Sequence, residues 1–363
     1  MSSARRARPR IVAALVIGAS LTVASVIGGE SVGFATLTGD TAAEQAAAEI
    51  EAARQRADAA SKAMFDAESK LDALTIEEEA TAAEVAELEA KAGQLATDVE
   101  ELAVRRFISG GQGIPLLSGL DGPTQQAQAN VLLAIVTESS QSTLDEYDAL
   151  ADELASKRKK LQKAKDRTSQ AIADYQALKV KAEAEVKRLQ EVEAKRLKDE
   201  KVRQILEAKR RAAQANTGGR RSGSSGFLDN GIYFDGSILC PFTGSAGFGD
   251  TWGAPRSGGR RHEGVDILMS TGTPLVAVTS GRASFSITNL GGNSITLYGD
   301  NGNTYFYAHL SAWEGQSRQV QQGDVIGYVG DTGNARGTPH LHFEIRPNRG
   351  RAVNPYPSVR AAC

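Results

Sequence analysis

Histidine, cysteine and aromatic residues are scarce in this sequence. Its 363 residues include four histidines and two cysteines, and aromatic residues make up 6%. So few aromatic residues in a long chain indicate that one long stretch has no globular core. The 42 basic and 44 acidic residues leave a formal net charge of −2. This balance creates no overall field that attracts nucleic acid, and we predict no nucleic-acid partner.

The first 35 residues have the pattern of an export signal. Four arginines precede an uncharged run, Ile11–Gly29. Such a run behind a basic flank is typical of a cleaved signal peptide or an uncleaved membrane anchor, and a buried core helix is the alternative. We therefore predict a signal or anchor over residues 1–35, with membrane insertion if it is not cleaved. The rest of the chain is then extracytoplasmic, either secreted or membrane-anchored.

Residues 40–214 are predicted to form a coiled-coil helical hairpin. Residues 41–107 contain no proline and one glycine, Gly93, and apolar residues recur at alternating steps of three and four. A stretch rich in glycine and proline, Ser109–Gln125, interrupts this pattern, and a second heptad register follows. The first seam is Ala57, Ala60, Met64, Ala67, Leu71, Leu74, Val85, Leu88, Ala92, Leu95, Val99 and Leu102, and the second runs from Tyr147 to Val192. This pattern predicts a coiled coil. An antiparallel hairpin and a parallel dimer of each helix are both compatible with it.

The last third of the chain has a different composition. Residues 215–235 are rich in glycine and serine and predict a flexible linker. Beyond it, short β-type runs alternate with glycine-rich turns. These runs are Pro274–Val278, Ser294–Tyr298, Thr304–Leu310, Asp324–Gly330 and Leu341–Ile345. We predict an antiparallel all-β domain over residues 236–363, which makes the protein multidomain.

The two cysteines bracket this domain. Cys240 stands near its start and Cys363 at its end. In an oxidising compartment this pair predicts a disulfide, and two free thiols are the alternative. Neither cysteine lies in a sequence context typical of a metal ligand or a catalytic nucleophile.

All four histidines fall in the β domain. His340 and His342 flank one residue of a strand-like run, so both imidazoles should face the same side of the strand. His262 and Asp266 can reach a common metal if the chain bends between them or if both lie on one face of a strand. Imidazole nitrogens and a carboxylate oxygen are good zinc ligands, and three protein ligands leave a fourth position open for catalysis. A single His-x-His occurs by chance, but the joint pattern, with a further histidine at His309, favours a metal centre.

These motifs resemble a known family. HEGVDI (residues 262–267), YAHL (307–310) and the stretch from Gln321 to Ile345 are similar to the M23 metallopeptidases, also called lysostaphin-like or LytM-type domains. The resemblance covers about residues 240–358. It implies a groove on an antiparallel sheet and a Zn²⁺-dependent endopeptidase acting on peptidoglycan. Carried over by motif, the zinc ligands are His262, Asp266 and His342, and the catalytic histidines are His309 and His340.

The sequence departs from the family at a few positions. Some members carry a tyrosine shortly before the first ligand, where this chain has Pro255–Arg261. Within that segment, Arg260 or Arg261 could bind a substrate carboxylate, or both could be solvated surface residues. Glu263 is a weak alternative for a general base. Thr338 lies between Gly337 and Pro339, and we expect it to alter a loop but not the ligands.

The helical half resembles the coiled coils that precede the peptidase domains of division-associated murein hydrolases and their activators. That resemblance implies a membrane regulatory complex as a partner, beside peptidoglycan as the substrate. Two other functions remain open at this point. The protein could be a catalytically inactive activator of another murein hydrolase, or a coiled-coil scaffold whose β domain only anchors it to the wall. Zinc content and muropeptide release distinguish the enzyme from both.

Overall fold

The computed structural model describes residues 39–110, 123–216, 225–227 and 233–363. The predicted signal or anchor at residues 1–35 lies outside these ranges, and so does most of the predicted linker. Within the part that is described, no helix is both long enough and apolar enough to cross a membrane.

Two long helices pack against each other in opposite directions. The four helices are α1 (Gly39–Gly110), α2 (Pro123–Arg196), α3 (Glu200–Asn216) and α4 (Tyr356–Ala362). Arg196 of α2 pairs with Glu49 near the start of α1, whereas Arg158 pairs with Glu89 much farther along α1. Residue numbers therefore rise along one helix as they fall along the other, so α1 and α2 form an antiparallel pair within one chain.

The predicted apolar seams form the packed face of this helical pair. Along both helices, every seam position whose burial the structure describes, which leaves out Leu102, is buried or half-buried. The buried seam residues are Ala57, Ala60, Met64, Val85, Leu154, Ala164, Thr168, Ala171, Tyr175, Ala182 and Leu189. The shorter α3 covers the first turns of α1, where Val202 packs with Ala43, Ala47 and Ile50. Apolar periodicity thus located the inner face of both long helices.

The C-terminal domain is built from antiparallel strands. The strands are β1 (Ser225–Phe227), β2 (Tyr233–Asp235), β3 (Gly247–Phe248), β4 (Pro255–Arg256), β5 (Arg260–Arg261), β6 (Val265–Leu268), β7 (Pro274–Val276), β8 (Gly281–Thr288), β9 (Gly292–Gly299), β10 (Thr304–Trp313), β11 (Arg318–Val320), β12 (Val325–Val329) and β13 (His340–Arg346). Nine of them form one sheet with the order β11-β8-β9-β10-β13-β6-β3, and β12 pairs with β10 and β7. β1 and β2 pair with each other inside the segment predicted as a linker.

The sheet register places the predicted site residues next to one another. β13 lies between β10 and β6, and His342 is directly opposite Asp266 on β6 and Ala308 on β10. Leu341 and Phe343 of the same strand are fully buried in the core beneath the sheet. His340 and His342 therefore share the opposite face of β13, as the period of two along a strand predicted.

A disulfide joins the two ends of the β domain. Cys240 and Cys363 are bonded, with their Cα atoms 4.9 Å apart. Cys363 follows α4, whose Val359 is fully buried in the same apolar core. The predicted disulfide is confirmed.

The helical pair packs directly on the β domain. Leu268 of β6 belongs to the apolar cluster formed by α1 and α2. Asp58 of α1 accepts a hydrogen bond from the backbone N–H of Phe248, at 3.1 Å, on the edge strand β3. At Gly247 of the same strand, an added Cβ would lie 2.6 Å from the backbone oxygen of Ala57. This close approach of helix and strand fixes where α1 lies on the sheet.

Candidate metal centre

Three side chains converge on one point above the sheet. His262 Nε2 lies 3.0 Å from Asp266 Oδ1 and 2.9 Å from His342 Nδ1. His342 Nδ1 also lies 3.0 Å from the same Asp266 oxygen. Among the residues that the structure describes, these three form the group of histidine and carboxylate side chains able to hold a metal ion.

The outer nitrogen of each of these histidines is held by a hydrogen bond. His262 Nδ1 lies 2.8 Å from the carbonyl oxygen of Thr251, which can only accept, so Nδ1 carries the proton. His342 Nε2 lies 3.0 Å from Glu344 Oε1. Glu344 is held in turn by Arg346, whose Nε lies 2.8 Å from its second oxygen. Histidine ligands in metal sites are commonly oriented through such partners.

These hydrogen bonds determine what the three inner atoms can bind. With their outer nitrogens protonated, neutral His262 and His342 each direct a lone pair at Asp266 Oδ1, itself an acceptor. Three electron-pair donors facing one another require either extra protons or a cation between them. Without a cation, burial lowers the pKa of His342, but the hydrogen bonds to Asp266 and Glu344 outweigh it and raise that pKa to about 9. Two imidazoles and one carboxylate are a donor set that suits zinc.

Asp266 is kept ionised although it is buried. Burial opposes its charge, but His262 and Arg256 outweigh that effect and hold the pKa of the carboxyl well below its usual range. Arg256 Nη2 lies 2.5 Å from Asp266 Oδ2, on the side away from the histidines. The two oxygens of Asp266 therefore have separate partners.

The chain bend between His262 and Asp266 depends on Gly264. An added Cβ at this position would lie 2.6 Å from Cε1 of His342 and 2.7 Å from the backbone oxygen of Phe343. These separations are shorter than any van der Waals contact, so a side chain here would displace the third ligand. The bend brings both ends of the His-x-x-x-Asp motif to one point, as the spacing predicted.

The two remaining histidines lie beside this centre, and each has one ring nitrogen held by a hydrogen bond. His340 Nε2 lies 3.7 Å from Asp266 Oδ1. The ring centroids of His309 and His340 are 4.7 Å apart, and that of His309 is 6.0 Å from that of His342. His309 Nδ1 lies 2.8 Å from the carbonyl oxygen of Thr332, and His340 Nδ1 lies 2.8 Å from that of Thr338. Both Nδ1 atoms are therefore donors, and each Nε2 keeps its lone pair.

His309 is held neutral in a strained backbone conformation. Burial, together with the neighbouring His340 and His342, lowers the pKa of His309 to about 3. Its φ is +67°, a value that non-glycine residues seldom adopt. The pairing of β9 with β10 shifts register between Tyr307 and Leu310. Strain of this kind concentrates at functional sites.

The metal centre forms the floor of a cleft of about 590 Å³. Most of the lining comes from the β domain, but Glu68 and Asp72 of α1 form part of one wall. Burial, followed by repulsion from Asp266, raises the pKa of Glu68 to about 7. Phe65, one turn earlier on α1, packs edge-on against His340, with ring centroids 5.5 Å apart.

Comparison with known proteins supports the family suggested by these motifs. The family model described as peptidase family M23 matches residues 260–355, which include all five predicted site residues. The chain carries a peptidase family M23 domain.

Relatives of the M23 domain are bacterial peptidases. The chain is 43% identical over 97 residues to the DD-carboxypeptidase/endopeptidase Mpg of Neisseria meningitidis serogroup B, a match that covers 26% of this chain and 22% of that protein. It is 36% identical over 126 residues to the L-Ala--D-Glu endopeptidase of Bacillus subtilis, covering 31% of this chain and 39% of the relative. The chain thus spans about a fifth to two fifths of the length of these relatives.

Among solved structures, the M23 domain is similar to the catalytic domain of lysostaphin from Staphylococcus simulans. The identity is 34%, the match covers 32% of this chain and 92% of that one, and the TM-score is 0.29.

Three further charged residues complete the site, and sequence patterns missed them. Arg256, Glu344 and Glu68 each lie within or beside the cleft, but a single arginine or glutamate carries no periodic or spacing signal.

Thr338, which we expected to alter a loop, contacts the helical pair. Its hydroxyl lies 2.8 Å from the Tyr175 hydroxyl of α2. This departure from the usual family sequence therefore falls where the M23 domain meets the helical pair.

The other charged residues that the sequence singled out lie at the rim. Arg260, Arg261 and Glu263 all line the cleft. The Glu263 side chain is 64% exposed and lies 3.9 Å from Arg346. It therefore has neither the burial nor the fixed partner that hold the four histidines in place.

Proposed function

We propose that this protein is a zinc-dependent endopeptidase that hydrolyses peptide bonds in the stem peptides or cross-links of peptidoglycan. The observation that carries the proposal is the convergence of His262, Asp266 and His342, each inner ligand atom within about 3 Å of the others. Two further histidines, His309 and His340, stand beside it, and their Nε2 atoms keep their lone pairs. The similarity to a DD-carboxypeptidase/endopeptidase and an L-Ala--D-Glu endopeptidase supports a peptide substrate of this class.

The donor set fits zinc, with His262, Asp266 and His342 as the protein ligands. In such a site zinc supplies activation of a water molecule and polarisation of the carbonyl that is attacked. His309 is placed to take the proton of the attacking water at Nε2, because Thr332 occupies its Nδ1. His340 is held through Nδ1 by Thr338, and its Nε2 can donate to the developing negative charge on the substrate once it has taken up a proton, because the resting Nε2 keeps a lone pair.

The location in the cell belongs to the same proposal. Peptidoglycan lies outside the cytoplasm, and the export pattern of residues 1–35 would deliver the protein there. The Cys240–Cys363 disulfide supports an oxidising compartment. We further propose that the helical pair is the part that a membrane regulatory complex contacts, since its far end extends beyond the M23 domain.

Metal analysis and digestion together test the enzymatic proposal. The purified full-length protein should contain about one zinc ion per chain and release muropeptides from sacculi. Defined muropeptides, with mass spectrometry of the products, then identify the bond that is cut. A protein that binds zinc but cleaves neither sacculi nor muropeptides would instead be the inactive activator of another hydrolase.

Two histidine variants separate metal binding from catalysis. His342→Ala removes a ligand and should lose zinc and activity together. His309→Ala leaves the three ligands in place, so it should keep zinc and lose activity by roughly 10²–10⁴-fold, the usual contribution of a general base. Glu263→Gln is the matched control. Glu263 is a charged residue next to the ligand His262, but its own side chain is exposed at the rim of the cleft. Full activity in zinc-loaded His309→Ala would contradict the role given to His309.

A further inference from the structure

The side chain of Arg256 connects helix α1 to a proposed metal ligand. It leaves strand β4 and is 11% exposed. Its Nη2 lies 2.5 Å from Asp266 Oδ2, and its Nη1 lies 2.7 Å from the hydroxyl oxygen of Ser69 on α1. One guanidinium group therefore touches the metal centre and the helical pair at the same time.

Ser69 is fixed as an acceptor for this contact. Its hydroxyl donates to the backbone oxygen of Phe65 at 3.0 Å, so a lone pair of the same oxygen is left for Arg256. Ser69 is 6% exposed. The contact is thus buried and directional, and it joins two parts of the chain that are 187 residues apart.

Helix α1 also supplies much of the negative charge around this arginine. Glu68 and Asp72 share a face of α1 with Ser69, and both stabilise the charged form of Arg256 along with Asp266. Asp72 also accepts a hydrogen bond from the backbone N–H of Ser257, the residue that follows Arg256. Without α1, the guanidinium would keep one of its three carboxylate neighbours and, at Nη1, only the backbone oxygen of Pro255 at 3.4 Å, the long end of hydrogen-bond distances.

The contact decides how Asp266 can present itself to a metal. Oδ2 is occupied by Arg256, and Oδ1 alone faces His262 and His342. A carboxylate released by its arginine can turn both oxygens to a cation and so change the coordination number. Guanidinium suits this task because its planar fork binds two acceptors in fixed directions, whereas an ammonium group acts as a point charge.

We propose that Arg256 is a positioning residue that couples the packing of helix α1, through Ser69, to the single-oxygen geometry of Asp266 at the metal centre. This inference rests on the proposed zinc site. It assigns to the helical pair a part in building that site, beyond any contact with another protein.

The test uses the full-length protein with zinc and with Co²⁺ as a spectroscopic substitute. Zinc affinity is measured by competition with a chelator, and the visible absorption of bound Co²⁺ reports the coordination number, because four-coordinate Co²⁺ absorbs much more strongly than five- or six-coordinate Co²⁺. Arg256→Gln should weaken zinc binding by roughly 10–100-fold, as loss of an outer partner of a metal ligand does. It should also lower the Co²⁺ absorbance.

Two further variants separate the link to the helix from the charge of Arg256. Ser69→Ala should shift zinc affinity and the Co²⁺ spectrum in the same direction as Arg256→Gln, by a several-fold smaller factor. Added to Arg256→Gln, it should have no further effect. Arg256→Lys keeps the charge but loses the fork, so it should resemble Arg256→Gln.

Thr75→Ala is the matched control on the same helix. Like Ser69, Thr75 donates its hydroxyl to the backbone oxygen four residues earlier, that of Leu71, at 2.9 Å. Thr75→Ala should change neither the zinc affinity nor the Co²⁺ spectrum. Circular dichroism confirms that each variant is folded.

The outcomes distinguish this inference from the proposed function. If the wild-type chain binds no zinc, the proposed function fails. If it binds zinc but Arg256→Gln binds as tightly or more tightly with an unchanged Co²⁺ spectrum, Arg256 does not position Asp266 and the inference is overturned. It is equally overturned if Ser69→Ala matches Thr75→Ala, since the helix then has no part in the metal site.

Discussion

The two ends of helix α1 have the same apolar period but different surroundings. We call residues 43–72 the docked segment and residues 73–104 the distal segment. The docked segment buries a run of apolar side chains against α2, α3 and the M23 domain, including Ile50, Met64 and Phe65, all fully buried. In the distal segment, Val85 is the one buried apolar side chain among those the structure describes there. A heptad pattern therefore predicts which face packs, but not how much stability each part of the helix contributes.

The largest difference is expected at Phe65. Phe65→Ala removes a fully buried ring from the docked segment and should lower the free energy of unfolding by about 3–5 kcal/mol. Val104→Ala, at a distal position that is 50% exposed, should change it by less than about 0.5 kcal/mol. Urea denaturation followed by circular dichroism measures both. Equal effects would mean that the docked segment is not the more stable part.

Two glycines offer a matched pair with opposite expected signs. At Gly247, an added Cβ would lie 2.3 Å from Ser61 Oγ and 2.6 Å from Ala57 O, so Gly247→Ala should destabilise by about 1–3 kcal/mol. At Gly93, in the distal segment, nothing lies within 4 Å. Gly93→Ala should therefore stabilise the helix by up to about 1 kcal/mol. Thermal unfolding of the two variants should show melting temperatures that move in opposite directions.

The smallest effects are expected from ion pairs across the helical pair. Arg167 and Glu77 pair in the distal segment with both side chains about half exposed, which should give a coupling energy of about 0.2–1 kcal/mol in a double-mutant cycle. In the docked segment, Arg54 pairs with Glu193, whose side chain is 9% exposed. The coupling energy of this pair should be larger than that of Arg167 and Glu77, and less sensitive to salt. A distal coupling that equals the docked one and persists in 1 M salt would argue against this difference.

Local patterns predicted those features that depend on neighbouring residues in the chain. The seams of α1 and α2, the shared face of His340 and His342, and the disulfide all follow from spacing or composition. β8 was missed because four of its eight residues are polar and four are exposed, so it lacks the apolar run that marked other strands. Apolar content detects strands in the core better than strands at the surface.

Contacts between the helices and the M23 domain could not be predicted in the same way. Ser69 and Arg256 meet across 187 residues of sequence, and neither belongs to a recognisable motif. One weak signal was present, because Phe65 is a large apolar residue one position outside the heptad seam. Met64, in the seam, and Phe65 are both fully buried. Two adjacent buried positions on one helix indicate a second packing partner beyond α2.

The length of α1 beyond the docked segment gives the helix the properties of a lever. From Ala73 to Gly110 it continues without a break, which at 1.5 Å per residue is about 55 Å. A tilt of about 5° around the docked segment would move the far end by about 5 Å over that length. In the opposite direction, a modest force at the far end exerts a large torque on the contacts around Phe65 and Ser69. A binding partner at the far end of α1 could thus shift the contacts around Phe65 and Ser69, and through them the candidate metal centre, without touching that centre.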